Sequence, residues 1–182
     1  MSANTKNNFS KCTLLVITRN RPILLKKFVQ YWSMTNIKII IADGSIKKNN
    51  YEFGNNINYN HLPDTPVITR ANFLSKKLES KYFIFCADDD FVSINGLNKS
   101  LLFLENNNLY SGCQGRYLAI EYFFKRAILR ENSFRYTHEN HIESNNIFNR
   151  LIEINNYPIM HYCYGVFKSE VLEVATNIWE GT

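Results

Sequence analysis

The sequence predicts an α/β fold with a mainly parallel sheet. Short apolar runs rich in β-branched residues alternate with segments whose apolar residues recur at helical spacing. The first such alternation reads strand, helix, strand within residues 12–45, a βαβ unit. Three of the apolar runs end abruptly on polar, chemistry-bearing residues, and ligands in such sheets gather outside the carboxyl ends of the strands.

Cys12 to Thr18 (CTLLVIT) is a continuous apolar run, short enough for a buried strand. Pro22 suits a first helical turn, and Leu25, Phe28, Val29 and Trp32 follow on one helix face. Ile37 to Ala42 is a second buried strand, ended by Asp43-Gly44-Ser45. Lys47 to Asn58 reads as loop, with a third strand near Tyr59 to Leu62 and a turn between Pro63 and Pro66. Thr69 to Ser80 fits a helix with Ala71, Leu74 and Leu78 inward. Tyr82 to Ala87 (YFIFCA) is the strongest strand and runs straight into Asp88-Asp89-Asp90. Ser93 to Asn106 reads as a helix with Leu97, Leu101 and Leu104 on one stripe. Further on, Tyr110 to Ile120 reads as a strand bent at Gly112 or Gly115. Residues 130–141 read as loop, residues 141–155 as helix, and Ile159 to Phe167 as an aromatic strand. Ser169 is placed to cap a last helix reaching Trp179. Residues 1–10 read as a flexible, Asn-rich start, and residues 11–182 as one domain. Its second part, 110–182, reads as truncated or unusually compact.

With 182 residues, 45% hydrophobic and 20% charged, the chain can bury a core without disulfides or metals. Seven Gly and four Pro exclude collagen-like and Pro-rich character. The 25 Asn reflect an AT-rich codon bias rather than a prion-like tract, because apolar segments occur throughout. The net charge of +5 suits an anionic partner. The basic residues are dispersed and carry no aromatic-basic motif, so no nucleic-acid partner is expected. Cys12, Cys86, Cys113 and Cys163 form no CxxC pair and sit in apolar surroundings, as in a reducing compartment. No run of 18 apolar residues occurs.

The protein has five Asp, three of them consecutive after the best strand, and none after position 90. Neighbouring carboxylates repel by about 1 kcal/mol at about 4 Å in water and about 4 kcal/mol at an effective dielectric near 20. A fold tolerates this where solvent or a cation relieves it, and hard divalent ions take carboxylate and phosphate oxygens. The plain alternative is a solvated acidic turn. The position after a buried strand in a basic protein favours a metal or nucleotide role.

Taken together, these segments resemble family 2-type GT-A glycosyltransferases. Ile17-Thr18-Arg19-Asn20-Arg21-Pro22 resembles their "P-T-x-N-R" opening, and Ile39 to Ser45 (IIIADGS) their "V-D-D-G-S" strand end. Arg70-Ala71-Asn72 resembles the "A-R-N" step, and Phe85 to Asp90 (FCADDD) the DXD motif written "F-L-D-x-D-D". Order and spacing agree across residues 11–96. Ile17 replaces the usual proline, and a single Asp precedes Gly44, so the match of Asp43 is ambiguous by one position. Tyr164 to Ser169 (YGVFKS) resembles a "Y-G-V-x-R-T" segment of some bacterial relatives.

The resemblance implies a GT-A-like, Rossmann-related, mostly parallel sheet flanked by helices. It implies that Thr18, Arg19, Asn20, Arg21, Asp43, Arg70, Asn72, Asp88 and Asp89 bind a nucleotide-sugar donor, with Asp43 accepting a uracil N–H. Mn2+ or Mg2+ would be held by Asp88 and Asp90, taken as a pair because same-parity residues point together on extended backbone. His161 is a candidate third ligand, and His138 with His141 a weaker metal pair. The implied reaction moves a sugar from a nucleoside diphosphate, UDP first among them, to a glycan or lipid-linked acceptor hydroxyl. Inversion needs a general base. Glu180 is the candidate, ahead of Glu139 and Glu143. Tyr157, Tyr162, Tyr164 and Trp179 are candidates for stacking on an acceptor sugar. By analogy the enzyme serves a bacterial surface polysaccharide, in the cytoplasm at the inner face of the membrane, with peripheral membrane association.

Two alternatives stand beside this. One is a non-catalytic nucleotide- or carbohydrate-binding module of the same fold. The other is a haloacid-dehalogenase-type phosphatase, since Asp88 to Val92 fits D-x-D-x-(T/V). That chemistry also needs a later acidic pair and normally sits at the first strand. A nucleotidyltransferase would need a Gly-rich loop after the first strand, and a Rossmann dehydrogenase a GxGxxG.

Overall fold

The structure is a computed structural model, and it describes residues 8–115, 120–123, 126–129, 142–156 and 164–172. The chain divides into two compact units, one of residues 1–113 with 163–182 and the other of residues 114–162.

The first unit holds a six-stranded sheet. Its strands are β1 (Cys12–Thr18), β2 (Lys38–Asp43), β3 (Ile57–His61), β4 (Tyr82–Phe85), β5 (Gly112–Cys113) and β8 (Val166–Lys168), in the order β3-β2-β1-β4-β8-β5. β3, β2, β1 and β4 run parallel. β8 lies antiparallel between β4 and β5. The expected mainly parallel sheet is therefore present.

Side-chain alternation sorts the core onto two faces. Leu14, Val16, Ile39, Ile41 and Ile84 face helix α1 (Pro22–Trp32) and helix α3 (Ile94–Asn106), which contribute Leu25, Phe28, Trp32, Leu97, Leu101 and Leu104. Leu15, Ile40, Ala42 and Phe83 face the other way, toward Leu74 of helix α2 (Val67–Lys76) and Leu172. Helices thus cover both faces, which is why β1 and β2 read as unbroken apolar runs rather than alternating ones. At the amino edge, Glu105 of α3 accepts from Tyr82 at 2.5 Å, from Lys81 at 2.7 Å and from Lys11. The hydrogen bonds from Lys11, Lys81 and Tyr82 lower its carboxyl to about 2.

Several boundaries differ from the sequence reading, each for a local reason. α2 begins at Val67, directly after Pro66, and closes early. Lys77 and Leu78 donate to Leu74 and Ser75, tight last-turn bonds that end the helix before Ser80. α3 starts one residue later than expected because Ser93 is its cap, its Oγ accepting from Gly96 N at 3.3 Å. β4 stops at Phe85, and the bent strand after Tyr110 is only Gly112–Cys113. A helix does open where the sequence expects one, over residues 169–172 of those described, but the Ser169 side chain does not cap it. The Ser169 N–H donates to Lys81 O and its hydroxyl to Ser80 O, which fastens β8 beside β4.

In the second unit, β6 (Ile120–Phe123) and β7 (Arg126–Leu129) pair antiparallel. Helix α4 (Ile147–Asn156) leaves Ile147, Phe148, Leu151 and Ile152 exposed. Among the described residues no helix is long and apolar enough to cross a membrane.

The two neighbours on α1 give a clean test of this layering. Leu25 is fully buried and Ile23 is exposed. Leu25→Ala is expected to cost about 2–5 kcal/mol of unfolding free energy in a urea titration, and Ile23→Ala no more than about 0.5 kcal/mol.

Candidate functional site

The chain runs from β1 outward through β2 to β3, then crosses back to β4 on the other side of β1. The strand order reverses between β1 and β4, and ligands in open α/β sheets bind outside the carboxyl ends at such a point. Thr18 to Arg21 reach that edge from β1, and residues 86–90 from β4.

The acidic triplet is not extended. Asp90 N donates to Ala87 O at 3.2 Å, closing a turn. The extended backbone behind the pairing of Asp88 with Asp90 is therefore absent, and Asp88 and Asp89 both reach Arg21. Arg21 Nη1 lies 2.8 Å from Asp88 Oδ1, and Arg21 Nη2 lies 2.5 Å from Asp89 Oδ2. Thr18 Oγ1 donates to Asp88 Oδ2 at 2.5 Å. The Asp88 side chain is 1% exposed, while those of Arg21 and Asp89 are each 43% exposed. Burial raises the Asp88 carboxyl above its ordinary value, against the lowering pull of Thr18 and Arg21, and the Asp89 charge adds to the rise. The hydrogen bond to Asp89 raises the Arg21 guanidinium, with the three Asp charges helping. Beneath the turn, burial pushes the Cys86 thiol up to about 12, so it is an inert packing group.

Asp43 lies on the far side of β1 and is wholly buried. Its Oδ1 accepts from Ser45 N at 2.8 Å and from the Ser45 hydroxyl. Its Oδ2 accepts from Asn49 Nδ2 and from the Tyr59 hydroxyl, each at 2.7 Å. Burial alone would raise this carboxyl, but the bonds from Ser45, Tyr59 and Asn49 outweigh it and hold the group below the usual range. A carboxylate offers about four lone-pair positions, and all are taken. Acceptance of a base N–H here requires that Asn49 or Tyr59 give way. Ser45, Asn49 and Tyr59 were not singled out from the sequence. The Asp-x-Ser spacing was the available signal, since Asp readily accepts from the N–H two residues on.

Arg70 is buried as well. Its Nε donates to Thr65 O at 3.1 Å and its Nη1 to Thr18 O at 2.5 Å. Burial, and then the nearby Arg19 charge, lower its guanidinium below the ordinary value. It braces backbone carbonyls and packs on Gly44, where a Cβ would sit 2.9 Å from Arg70 Cζ. Asn20 adopts a left-handed φ of 55°, which Asn tolerates better than most residues. Its N–H donates to Ser45 Oγ at 2.7 Å, lacing the β1 and β2 loops together. Arg19 points to solvent and pairs with Asp64 at 2.9 Å. Asn72 makes no hydrogen bond to the acidic turn among the described residues, and its shielded Oδ1 has no partner.

His138, His141, His161, Glu139, Tyr157, Tyr162, Trp179 and Glu180 lie outside the described residues. Glu143 is exposed in the second unit, and Tyr164 is half-buried in the first. Among the described residues, no three His, Cys, Asp or Glu side chains gather to hold a metal. A shallow depression of about 740 Å³ opens along β3, away from the acidic turn. Its lining includes Lys48, Tyr51 and the stacked rings of Phe53 and Tyr59, whose centroids are 4.4 Å apart.

The sheet order and the flanking helices make a GT-A-like α/β fold. Comparison with solved structures agrees. A crystal structure of S. aureus TarS 1-349 in complex with UDP-GlcNAc superposes with a TM-score of 0.57 at 13% identity, covering 91% of this chain and 47% of that one. A crystal structure of S. aureus TarS gives 0.54 at 12% identity, covering 90% and 29%. The TarS 1-349 complex with UDP gives 0.53 at 12% identity, covering 91% and 49%. The chain spans about half the length of the TarS 1-349 chain or less, and at these identities the likeness speaks for the fold. No protein-family model and no curated protein sequence matches the chain.

Asp43 and Asp88 are expected to respond oppositely to neutralisation. Asp43→Asn puts an amide N–H where two donors already point, and is expected to cost about 2 kcal/mol or more. Asp88→Asn keeps an acceptor for Thr18 and removes a charge the fold disfavours, so its cost is expected within about 1 kcal/mol. Acid melts from about pH 7 to about pH 3 separate them further. Asp43 titrates below its unfolded value, so its stabilisation is present above the ordinary Asp range and is lost as pH falls through the depressed value. Asp88 titrates above its unfolded value, so acidification relieves it. Asp43→Asn should therefore flatten the acid decline and Asp88→Asn steepen it. Gly44→Ala, which drives a methyl into the doubly held Arg70, is expected to cost about 1–3 kcal/mol in the same melts.

Proposed function

We propose that this chain is the donor-binding part of a metal-dependent glycosyltransferase. It would move a sugar from a nucleoside diphosphate, UDP first among them, to a glycan or lipid-linked acceptor hydroxyl. The observation that carries the reading is the convergence, at the strand-order reversal, of Asp88 and Asp89 from β4 with Thr18 and Arg21 from β1. The TarS complexes with UDP and UDP-GlcNAc support a nucleotide-sugar ligand on this fold.

The two carboxylates suit a divalent cation. One guanidinium already bridges them, so their oxygens converge on a single positive group. Diphosphate oxygens are the hard ligands that would complete such a shell. When bound, the ion supplies Lewis-acid relief of the charge that develops on a departing diphosphate. The chain's own part is positional. Thr18 fixes the Asp88 carboxylate from below, and Arg21 brings a guanidinium able to hold a diphosphate by two N–H bonds. Arg19, on the rim, adds positive charge toward the same anion. Arg70 and Asp43 act beneath the surface by holding the β1, β2 and α2 ends in register.

A thermal-shift series with UDP and UDP-GlcNAc, with and without Mn2+, tests this. A UDP compound at a hundred times its Kd should add about 2.7 kcal/mol of stability. The gain should be larger with Mn2+ and be lost in the Asp88→Ala/Asp89→Ala double variant. Equal stabilisation of that variant would remove these two carboxylates from the reading. Binding of UDP-GlcNAc with no sugar transfer and no freed UDP in the presence of acceptors would leave a nucleotide-binding module of the same fold.

A further inference from the structure

Arg21 occupies the place where a cation is expected. Its two terminal nitrogens reach two different carboxylates at 2.8 and 2.5 Å, one buried and one exposed. It stands at the junction of β1 and α1, and no side-chain cap bond fixes that helix start. The Arg21 side chain is 43% exposed, so it can leave without opening the core. Asp88 cannot follow, because Thr18 Oγ1 holds its other oxygen.

We infer that Arg21 is an exchangeable counter-ion, which neutralises Asp88 and Asp89 in the free protein and passes to the donor diphosphate when a divalent ion takes its place. This rests on the donor-binding reading above. Electrostatics favour the exchange only when both ligands arrive. A metal alone must displace the guanidinium and leave it facing a like charge. A diphosphate alone draws the guanidinium off and leaves two adjacent carboxylates unpaired beside another anion. When both enter, the metal's two positive charges offset the two negative charges of a nucleotide-sugar diphosphate. The summed charge of Arg21, Asp88, Asp89 and the ligands then stays at one negative unit, as for those three residues in the free protein. Each ligand therefore prepares the site for the other, and by linkage the effect is reciprocal. Arg70 cannot play this part, being buried against two carbonyls. Nor can Arg19, which pairs with Asp64.

Calorimetric titration of Mn2+ into the protein, with and without saturating UDP, tests the exchange in three forms: wild type, Arg21→Gln and Arg21→Lys. In the wild type, UDP should tighten Mn2+ at least tenfold. In Arg21→Gln, Mn2+ alone should bind about three- to tenfold tighter than in the wild type, because no internal cation competes. The further tightening by UDP should shrink by a similar factor, while UDP alone binds more weakly. Arg21→Lys keeps a charge but cannot bridge both carboxylates, and should fall between the two. A thermal melt confirms that each variant is folded. Unchanged or weaker Mn2+ binding in Arg21→Gln, with UDP-dependent Mn2+ binding intact in the wild type, overturns the exchange and leaves the donor-binding reading standing. Absence of Mn2+ binding in all three forms, with or without UDP, overturns the metal reading and the exchange with it.

Discussion

The carboxyl edge of the sheet depends on the bonds made by one residue. Thr18 ends β1, and its carbonyl accepts from Gly44 N at 2.9 Å and from Arg70 Nη1 at 2.5 Å. Its hydroxyl donates to Asp88 at 2.5 Å. A single buried threonine thus ties β1 to the end of β2, to α2 and to the acidic turn after β4. These elements come from distant parts of the sequence. Their loops could drift apart, because loop backbones lack ladder partners of their own. The Thr18 contacts replace those partners. They also explain why a polar residue closes an otherwise apolar strand.

Two buried carboxylates stand on either side of Thr18, and their surroundings divide the labour. Asp43 is enclosed by four short-range donors and is held ionised below its ordinary range. A group so satisfied is a structural pin. Asp88 has one internal donor and one arginine at the surface, and burial prevails over both. A carboxylate in that condition has more to gain from an added cation. Placement at the strand-order reversal puts the less satisfied group where a ligand can reach it. The more satisfied one lies where the sheet needs anchoring.

Much of the fold was legible because burial on both faces leaves a simple pattern. β1 matched residue for residue, and α1 showed its inward face in Leu25, Phe28 and Trp32. The sites of chemistry were legible as places, since polar residues directly after buried strands stand out. Their inner geometry was not. The direction in which Asp88 and Asp89 point depends on the turn at Ala87, which no periodicity encodes. The Asp43 cluster needs Tyr59, sixteen residues further on, and strand pairing alone brings it near. The antiparallel seat of β8 between β4 and β5 was likewise hidden, because a three-residue strand carries almost no pattern.

The three arginines of this edge show how far residue type underdetermines role. All three matched segments that implied a base or phosphate contact. Their partners separate them. Arg70 loses its solvent and donates to two carbonyls, so its charge serves the frame and Gly44 must stay small to admit it. Arg19 keeps its solvent and pairs with the still more exposed Asp64, an interaction of little strength. Arg21 is about as exposed as Arg19, but one of its carboxylate partners is buried and the other exposed. That pairing combines a charge strong enough to hold the acidic turn with the freedom to release it. A guanidinium bound wholly inside would be a brace, and one paired only in water would hold little, so the exposed arginine with a buried partner is the one through which the turn can exchange partners.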